Sequence, residues 1–500
     1  MKFIRASGIV ARPLPLRFLQ MLPGLLGILG GCAVGPDFSK PATSAQAGYR
    51  PAPVTLPPAG PTDPQQHLNL GGELVGQWWT LFKSHELDDT LTLAVANSPT
   101  LDTARSTLAQ AQQAILVARS GYFPQADLAA GAQRERVSVS AFDSGEYATG
   151  AIFAVGPTVS YGPDLFGRVR RQVEENTALT DVQRYALAAA WLTLTGNAVN
   201  EAITSASARE QTRAVQDIIA VDRRNAELVE FERSAGKAAR TDVLTAQSQL
   251  AADVALLPPL QQQLSAAHDA LAILVGKTPA EWAAPRFDFD MIVLPVDVPV
   301  TLPSALVRTR PDVLAAESQL HAASAAIGVA SADLYPGITL SASWTQQAPR
   351  MGPLFDSANG LWSVAAGLTA PLFHGGALKA QRQGAVDAFD AQLGVYRQTV
   401  LAAFGQVADS LKALQHDAEA LAAQRAALDS AQASLALSQE SYRVGAASLL
   451  DVLLSQRLYA QARLGYAKAK GQRYLDTAQL FEATGGGWQA SMANDAGPAR

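Results

Sequence analysis

Cysteine and histidine, the side chains best suited to covalent and acid–base chemistry near neutral pH, are few in this chain and lie far apart. Cys32 is the single cysteine among 500 residues, so no disulfide is open to it within the chain. Its thiol is therefore a candidate for modification: it follows Leu29-Gly30-Gly31 at the end of an apolar run. The six histidines, His67, His85, His268, His321, His374 and His416, share no metal-ligand spacing. No phosphate loop, nucleophile elbow or metal-protease motif is present. Asp, Glu and Ser are plentiful, but they sit in amphipathic tracts where most form solvated faces. Two glycine-centred stretches carry charged residues at their ends. One stretch runs from Arg233 to Asp242 through Gly236 and Arg240, the other from Arg443 to Asp451 through Gly445 and Ala446. The second continues past Leu450 and Asp451 to Arg457. No set of these residues makes a catalytic constellation, so the sequence predicts no enzyme.

The elements that position these residues begin with an export signal. Lys2, Arg5, Arg12 and Arg17 precede an apolar run from Phe18 to Leu29, too short for a membrane span of ~20 residues. The small residues before Cys32 resemble the bacterial lipobox, in which the thiol takes a diacylglycerol thioether, the signal is cut away, and the new amino terminus takes an N-acyl chain. An ordinary cleaved signal with an incidental cysteine is the alternative. Ala33 in place of an aspartate implies sorting to the outer membrane. Two or three acyl chains suffice for stable anchoring. The net charge of −5 includes the four signal cations; without them 35 basic residues face 44 acidic ones, or −9. A mildly acidic mature chain gives no reason to expect nucleic acid as a partner. From Pro41 to Pro64 the chain is rich in Pro, Ala and Thr and lacks periodicity, which predicts an extended tether.

The body is written twice. Pro99 is followed after twenty-five residues by Pro124, in Tyr122-Phe123-Pro124, and Pro311 at the same interval by Pro336, in Leu334-Tyr335-Pro336. Gly236 precedes Asp242-Val243-Leu244 by six residues, and Gly445 precedes Asp451-Val452-Leu453 by six. No proline falls between Pro163 and Pro258, or between Pro371 and Pro498. Such tracts suit long helices, because an interior proline costs ~3 kcal/mol or more. Leu179, Val182, Leu187, Trp191 and Leu194 recur at helical spacing, as do Val400, Phe404, Val407, Leu411 and Leu414. Gly236 and Gly445 break the tracts, and Thr241 and Ser448 are expected as N-caps of the returning helices. Each long helix is ~100 Å at 1.5 Å per residue.

Each half also carries two alternating segments. Ile338, Leu340, Ala342 and Trp344 form one apolar side, and Trp362, Val364, Ala366 and Leu368 another. Phe153, Val155 and Val159 alternate with Ala154, Gly156, Thr158 and Ser160, and Ala126, Leu128, Ala130 and Ala132 share a side. Tilted strands of a transmembrane barrel and soluble hairpins on a core both fit this pattern. Four strands cannot close a barrel, and an open edge in lipid leaves backbone groups unsatisfied at several kcal/mol each. Membrane strands therefore demand partner chains, and three copies would supply twelve strands. Trp344 and Trp362 fit an aromatic belt or simple packing. Residues 137–150 and 346–360 are expected as outer loops.

Several strings, in order, resemble TolC-like outer-membrane efflux lipoproteins over nearly the whole mature chain. They are Cys32-Ala-Val-Gly-Pro36-Asp37-Phe38 with Pro41, Gln77-Trp78-Trp79-Thr80-Leu81-Phe82, and Tyr161-Gly-Pro-Asp164-Leu165-Phe166-Gly167-Arg168. Leu302-Pro303-Ser304, Arg310-Pro311-Asp312-Val313 and Ala316-Glu317 follow, and Leu480-Phe481 with Gly485-Gly486-Gly487-Trp488 closes the series. The resemblance implies a mixed α and β membrane protein with internal duplication. Its fold would be a trimeric twelve-stranded transmembrane β-barrel continuing into a long α-helical periplasmic barrel. The expected organisation is a signal peptide over 1–31, a lipidated tether over 32–75, repeats over 76–295 and 296–488, and a flexible tail over 489–500. Within the repeats, strands are expected at about 125–136, 151–160, 337–346 and 361–369. Helices are expected at 165–234, 241–275, 374–443 and 448–483.

The function so implied is the passive outer-membrane channel of a three-part RND-type efflux system. Its partners would be two further copies of the chain, a periplasmic membrane-fusion adaptor, an inner-membrane RND-type pump and outer-membrane lipid. The lipid on Cys32 is the one attached group expected, with no other cofactor and no metal. The adaptor would meet the helix turns at Arg233, Gly236, Arg240, Arg443, Gly445 and Ala446. Leu450, Asp451 and Arg457 would form the periplasmic gate, although Leu454 stands where relatives commonly place an aspartate three residues before the arginine. Threefold symmetry would make Asp451 a ring of carboxylates; an acid favoured by the helix dipole is the plainer role. A trimeric adhesin or scaffold, with the helices as a stalk, is the alternative function.

Overall fold

The computed structural model describes residues 33–42, 48–50, 55–57, 65–72, 74, 76–138 and 147–489. The signal segment, Cys32 and the tail beyond 489 lie outside them. The chain divides into two units by its internal contacts: Gln112–Leu179 and Leu320–Ala391 with the residues up to Ser39 in one, the rest in the other.

The first unit holds a four-stranded antiparallel sheet. Numbering the strands in chain order, with a short β1 (His67–Leu70) belonging to the second unit, it contains β2 (Gln125–Ser138), β3 (Tyr147–Tyr161), β5 (Gly337–Ala348) and β6 (Gly360–Thr369), in that spatial order. All four extend as far as or further than their alternation predicts, and the segments expected as outer loops shrink accordingly, to 139–146, outside the described residues, and 349–359. Residues opposed in an antiparallel ladder share a face. The pairings Leu128↔Pro157, Val159↔Ala342, Leu340↔Ala366 and Trp344↔Trp362 therefore join the apolar sides of all four strands into one surface. Val364 is 75% exposed on it and Leu368 70%. The opposite face carries Asp127, Thr158, Ser341, Ser343 and Ser363. At the centre, β3 and β5 approach closely: a Cβ on Gly156 would lie 2.0 Å from the Trp344 carbonyl oxygen. β2 and β6 are the edges, and among the described residues neither has a second neighbour.

The same unit seats the segment that follows Cys32. The Val34 N–H donates to the Phe166 carbonyl at 3.1 Å. The buried Arg171 guanidinium donates to the Val34 and Gly35 carbonyls, to Asp37 at 2.7 Å and to Glu174 at 2.8 Å. Phe38 stacks on His321 at 4.4 Å. A Cβ on Gly35 would meet the Gly328 backbone at 2.5 Å. The start of the expected tether is thus held against the body, because the buried Arg171 guanidinium needs partners and finds them in the Val34 and Gly35 carbonyls and the exposed Asp37 carboxylate.

Helices dominate the second unit. In chain order the molecule has α1 (His85–Asn97), α2 (Pro99–Ser120), α3 (Arg168–Ser234), α4 (Arg240–Val254), α5 (Leu257–Leu274), α6 (Pro303–Thr309), α7 (Pro311–Ala332), α8 (Ala377–Arg443) and α9 (Leu449–Ala483). α3 starts three residues later than expected, because Gly167 takes φ +78° and the Asp164 carboxylate accepts from the N–H groups of Val169 and Arg170. The single helix expected over 241–275 is two. Pro258 and Pro259 sit in the first turn of α5, where a missing N–H is harmless, but inside a continuous helix the ring would clash with the preceding turn. β1 pairs in parallel with β4 (Asp297–Val300), a small sheet that the periodicity did not announce. Trp78, Phe82, Tyr474 and Phe481 form a buried aromatic cluster, which gives the early Trp-Trp string a packing role.

Candidate gate and docking turns

Both helix turns end on the same device. Gly236 has φ +74° and Gly445 φ +78°, a left-handed conformation that costs a Cβ-bearing residue ~1–2 kcal/mol. In the first turn the N–H of Lys237 reaches back to the Glu232 carbonyl at 2.8 Å; in the second, Ala446 reaches Ser441 at 2.8 Å. These bonds satisfy carbonyls that a helix end leaves free. The returning helices also start alike. Asp242 accepts from the Ala239 N–H and Asp451 from the Ser448 N–H, each at 2.9 Å, and the Ser448 hydroxyl closes a capping box with Asp451. Thr241, expected as the first N-cap, is instead inside α4: the Asp242 carboxylate caps at Ala239 and starts the helix earlier. Val229, Val243 and Ala246, with Ala226 and Ala238, close a small apolar core behind the first turn.

The turn residues named from sequence are exposed. Arg233 is paired with Glu230 at 2.7 and 3.0 Å, and Arg443 with Glu440. Gly445 and Ala446 are open to solvent, with apolar Phe231, Tyr442 and Val444 also exposed. Asp451 is fully exposed, and the hydrogen bonds from Ser448 hold its carboxyl below the usual range. Leu450 is exposed as well, directly before Asp451 and about two helical turns before Arg457.

The hydrogen bond and ion pairs of Arg457 are with other helices and not with Asp451. It donates to Asp253 of α4 at 3.1 Å and lies 3.6 Å from Asp222 of α3. Both acids are buried. Burial, and a hydrogen bond shared with Asp253, push the Asp222 carboxyl up to about 7. Burial acts on Asp253 too, but bonds from Asp222, Gln249 and Arg457 outweigh it and hold that carboxyl down. One guanidinium thus links three helices through two buried acids. Sequence reading missed Asp222 and Asp253. The available signal was an acid inside the apolar run Leu250-Ala-Ala-Asp253-Val-Ala-Leu-Leu257.

A second carboxyl of this kind is Glu482 near the end of α9. It accepts from Asn200 at 3.0 Å, and burial pushes it up to about 7. Arg310, from the string that opens the second repeat, donates to Asp312, to the Ala483 carbonyl and to Gln406, so that string is structural.

An open sheet with an exposed apolar face, joined to 67-residue helices with matching turns, is the plan found in known proteins. The profile of the family described as "Outer membrane efflux protein" matches residues 90–277 and 302–486. The chain belongs to that family. It is an outer-membrane component of an efflux system of a Gram-negative bacterium. It is similar to the pyoverdine export outer membrane protein OpmQ of Pseudomonas aeruginosa, at 33% identity over 457 residues, 89% of this chain and 94% of the relative. The antibiotic efflux pump outer membrane protein ArpC of Pseudomonas putida is 28% identical over 475 residues, 93% of this chain and 95% of that one. The solved structure of the outer-membrane channel OprN matches with a TM-score of 0.80 at 26% identity, covering 92% of this chain and 100% of that one.

Proposed function

We propose that this chain is the exit duct of a three-part RND-type efflux pump, a homotrimer whose three sheets close a twelve-stranded barrel. The observation that carries the reading is the four-stranded sheet: one exposed apolar face, a more polar opposite face, and, among the described residues, two unpaired edges. In lipid each unpaired edge group costs several kcal/mol, so the edges of β2 and β6 must meet those of other copies. The polar faces then line the lumen. Transport through the duct is passive, with no reaction to catalyse, and energy comes from the inner-membrane pump. A periplasmic adaptor docks on the turns that carry Arg233, Gly236, Arg240, Arg443, Gly445 and Ala446. Arg457 controls the resting arrangement of the helices through Asp222 and Asp253, and Leu450 and Asp451 line the opening. The thioether-linked diacylglycerol and N-acyl chain on Cys32 anchor the amino terminus, and no further cofactor takes part.

The test is crosslinking in cells from Ala446→Cys, with Cys32 retained, followed by mass spectrometry. Capture of a periplasmic adaptor together with an inner-membrane pump supports the duct. Capture of neither, with the protein folded in the outer membrane, moves the reading to an adhesin or scaffold.

A further inference from the structure

We propose that Leu372 and Phe373 of one copy pack on Tyr122 and Phe123 of the next, repeating between chains a contact that the duplicated sequence already makes within one. This rests on β2 and β6 of different copies closing the barrel. The contact within the chain lies where the backbone leaves β3 and enters β5. Phe166 stacks there on Tyr335, with ring centres 4.7 Å apart and planes inclined by 21°. Phe166 lies five residues after Tyr161 and Tyr335 five before Leu340, so the two rings continue the register of the Tyr161↔Leu340 pair. One hairpin is thereby joined to the other just beyond the end of their ladder. The duplication sets the same parts at the two free edges. Pro124 matches Pro336, which aligns Phe123 with Tyr335. Leu165-Phe166 after β3 has its counterpart in Leu372-Phe373 after β6. These second parts belong to opposite edges of the sheet. Leu372 is 94% exposed, Phe373 88% and Phe123 65%, against 45% for Tyr335 under its partner. Among the described residues no large apolar side chain is more exposed than the first two.

The ladders inside the chain also fix how the edges meet. Val159 opposes Ala126 in the first hairpin, and Leu368 opposes Ile338 in the second. Ala126 and Ile338 each lie two residues after their proline, so Val159 and Leu368 are equivalent. Ala130 and Ala342, each six residues after its proline, are equivalent too. Since Val159 pairs with Ala342 within the chain, Leu368 of one copy falls opposite Ala130 of the next. Continued past the strands, this register puts Phe373 opposite Gln125 and diagonal to Phe123. Aromatic side chains bridge such a diagonal, ~7–8 Å between backbones. Arg168 and Asp333 add an ion pair at 2.7 Å to the joint within the chain. Between copies Gly121 stands in the place of Asp333, so apolar packing carries that joint. A place among lipid headgroups suits Trp and Tyr, whose polar tips reach water, but Leu372 and Phe373 have none. A neighbouring strand ~4.8 Å from β6 gives them a surface to cover.

The full-length protein, with Cys32 retained, would carry Phe123→Cys/Phe373→Cys in one variant and Ala130→Cys/Leu368→Cys in another. Cells would be treated with a short bis-maleimide and the protein run on denaturing gels. Both double variants should give bands of two and three joined chains, and each single variant one chain only. Joined chains from Ala130→Cys/Leu368→Cys alone remove the contact and keep the closed barrel. Joined chains from neither, in protein folded in the outer membrane, remove the closed barrel and the contact with it. Phe373→Ala should lower by several degrees the temperature at which trimers separate in mild detergent, and Phe373→Tyr should leave it near the native value. Separation at one temperature in all three proteins overturns the packing role.

Discussion

Replacing Arg457 by methionine keeps much of its volume and deletes the cation that contacts both Asp222 and Asp253. The lost interactions are a 3.1 Å hydrogen bond to Asp253 and a 3.6 Å ion contact to Asp222. Breaking a fully buried ion pair from one side costs about 3–5 kcal/mol, and a hydrogen bond to a charged group about 1.5–3 kcal/mol. The Arg457 side chain is 23% exposed, so water screens part of the charge and the loss belongs near about 2–3 kcal/mol. If that link holds α3, α4 and α9 in the resting state, its removal shifts the resting-to-open ratio by roughly 30- to 150-fold. The assay is single-channel recording in planar bilayers at pH 6, with antibiotic leak into cells as a second readout. Open probability should rise strongly in Arg457→Met. It should change little in Asp222→Asn, because Asp222 is largely protonated below about 7 and asparagine imitates that form. The sign with pH follows. A carboxyl whose folded value is raised favours the assembled helices fully below its free value near 4, and that contribution is lost as pH rises through about 7. Opening should therefore become easier towards pH 8 in the native protein and lose this dependence in Asp222→Asn. A native-like resting current in Arg457→Met, from protein with unchanged melting, would refute the reasoning.

Glu482→Gln should leave stability nearly unchanged below pH 4 and raise it by about 3 kcal/mol at pH 8, where the native carboxyl is charged in its buried site; thermal melting across pH checks this. Arg171→Met should free residues 33–39 by removing their buried cation, at about 2–3 kcal/mol, and a protease should then cut there while the folded body survives. Gly445→Ala should weaken the second turn by about 1–2 kcal/mol through its φ of +78°, with open space around the new methyl. Hydrogen exchange should rise at Ala446 and its neighbours and nowhere in the sheet.

Much of this protein is written locally. Proline-free tracts with apolar spacing of three and four required long helices, and Gly236 and Gly445 could only end them, since a left-handed residue without a Cβ is what a helix stop favours. Alternation at period two put Leu128, Val159, Leu340 and Val364 on one side of their strands, and the duplication showed that four such strands exist per chain. Those properties depend on neighbours a few residues away. Other features depended on groups that meet only in three dimensions. Asp222, Asp253 and Arg457 come from three helices, and an acid on an amphipathic helix reads as solvated until a distant cation is placed beside it. The clamp of Arg171 on Val34, Gly35 and Asp37 joins residues more than 130 positions apart, in a stretch expected only as the start of a lipidated tether. The break between α4 and α5 was legible at Pro258 and was lost to the pull of a continuous apolar pattern. Spacing along the chain sets which way a side chain faces, but its electrostatic surroundings belong to the tertiary fold, because charge and burial act through space and not through sequence.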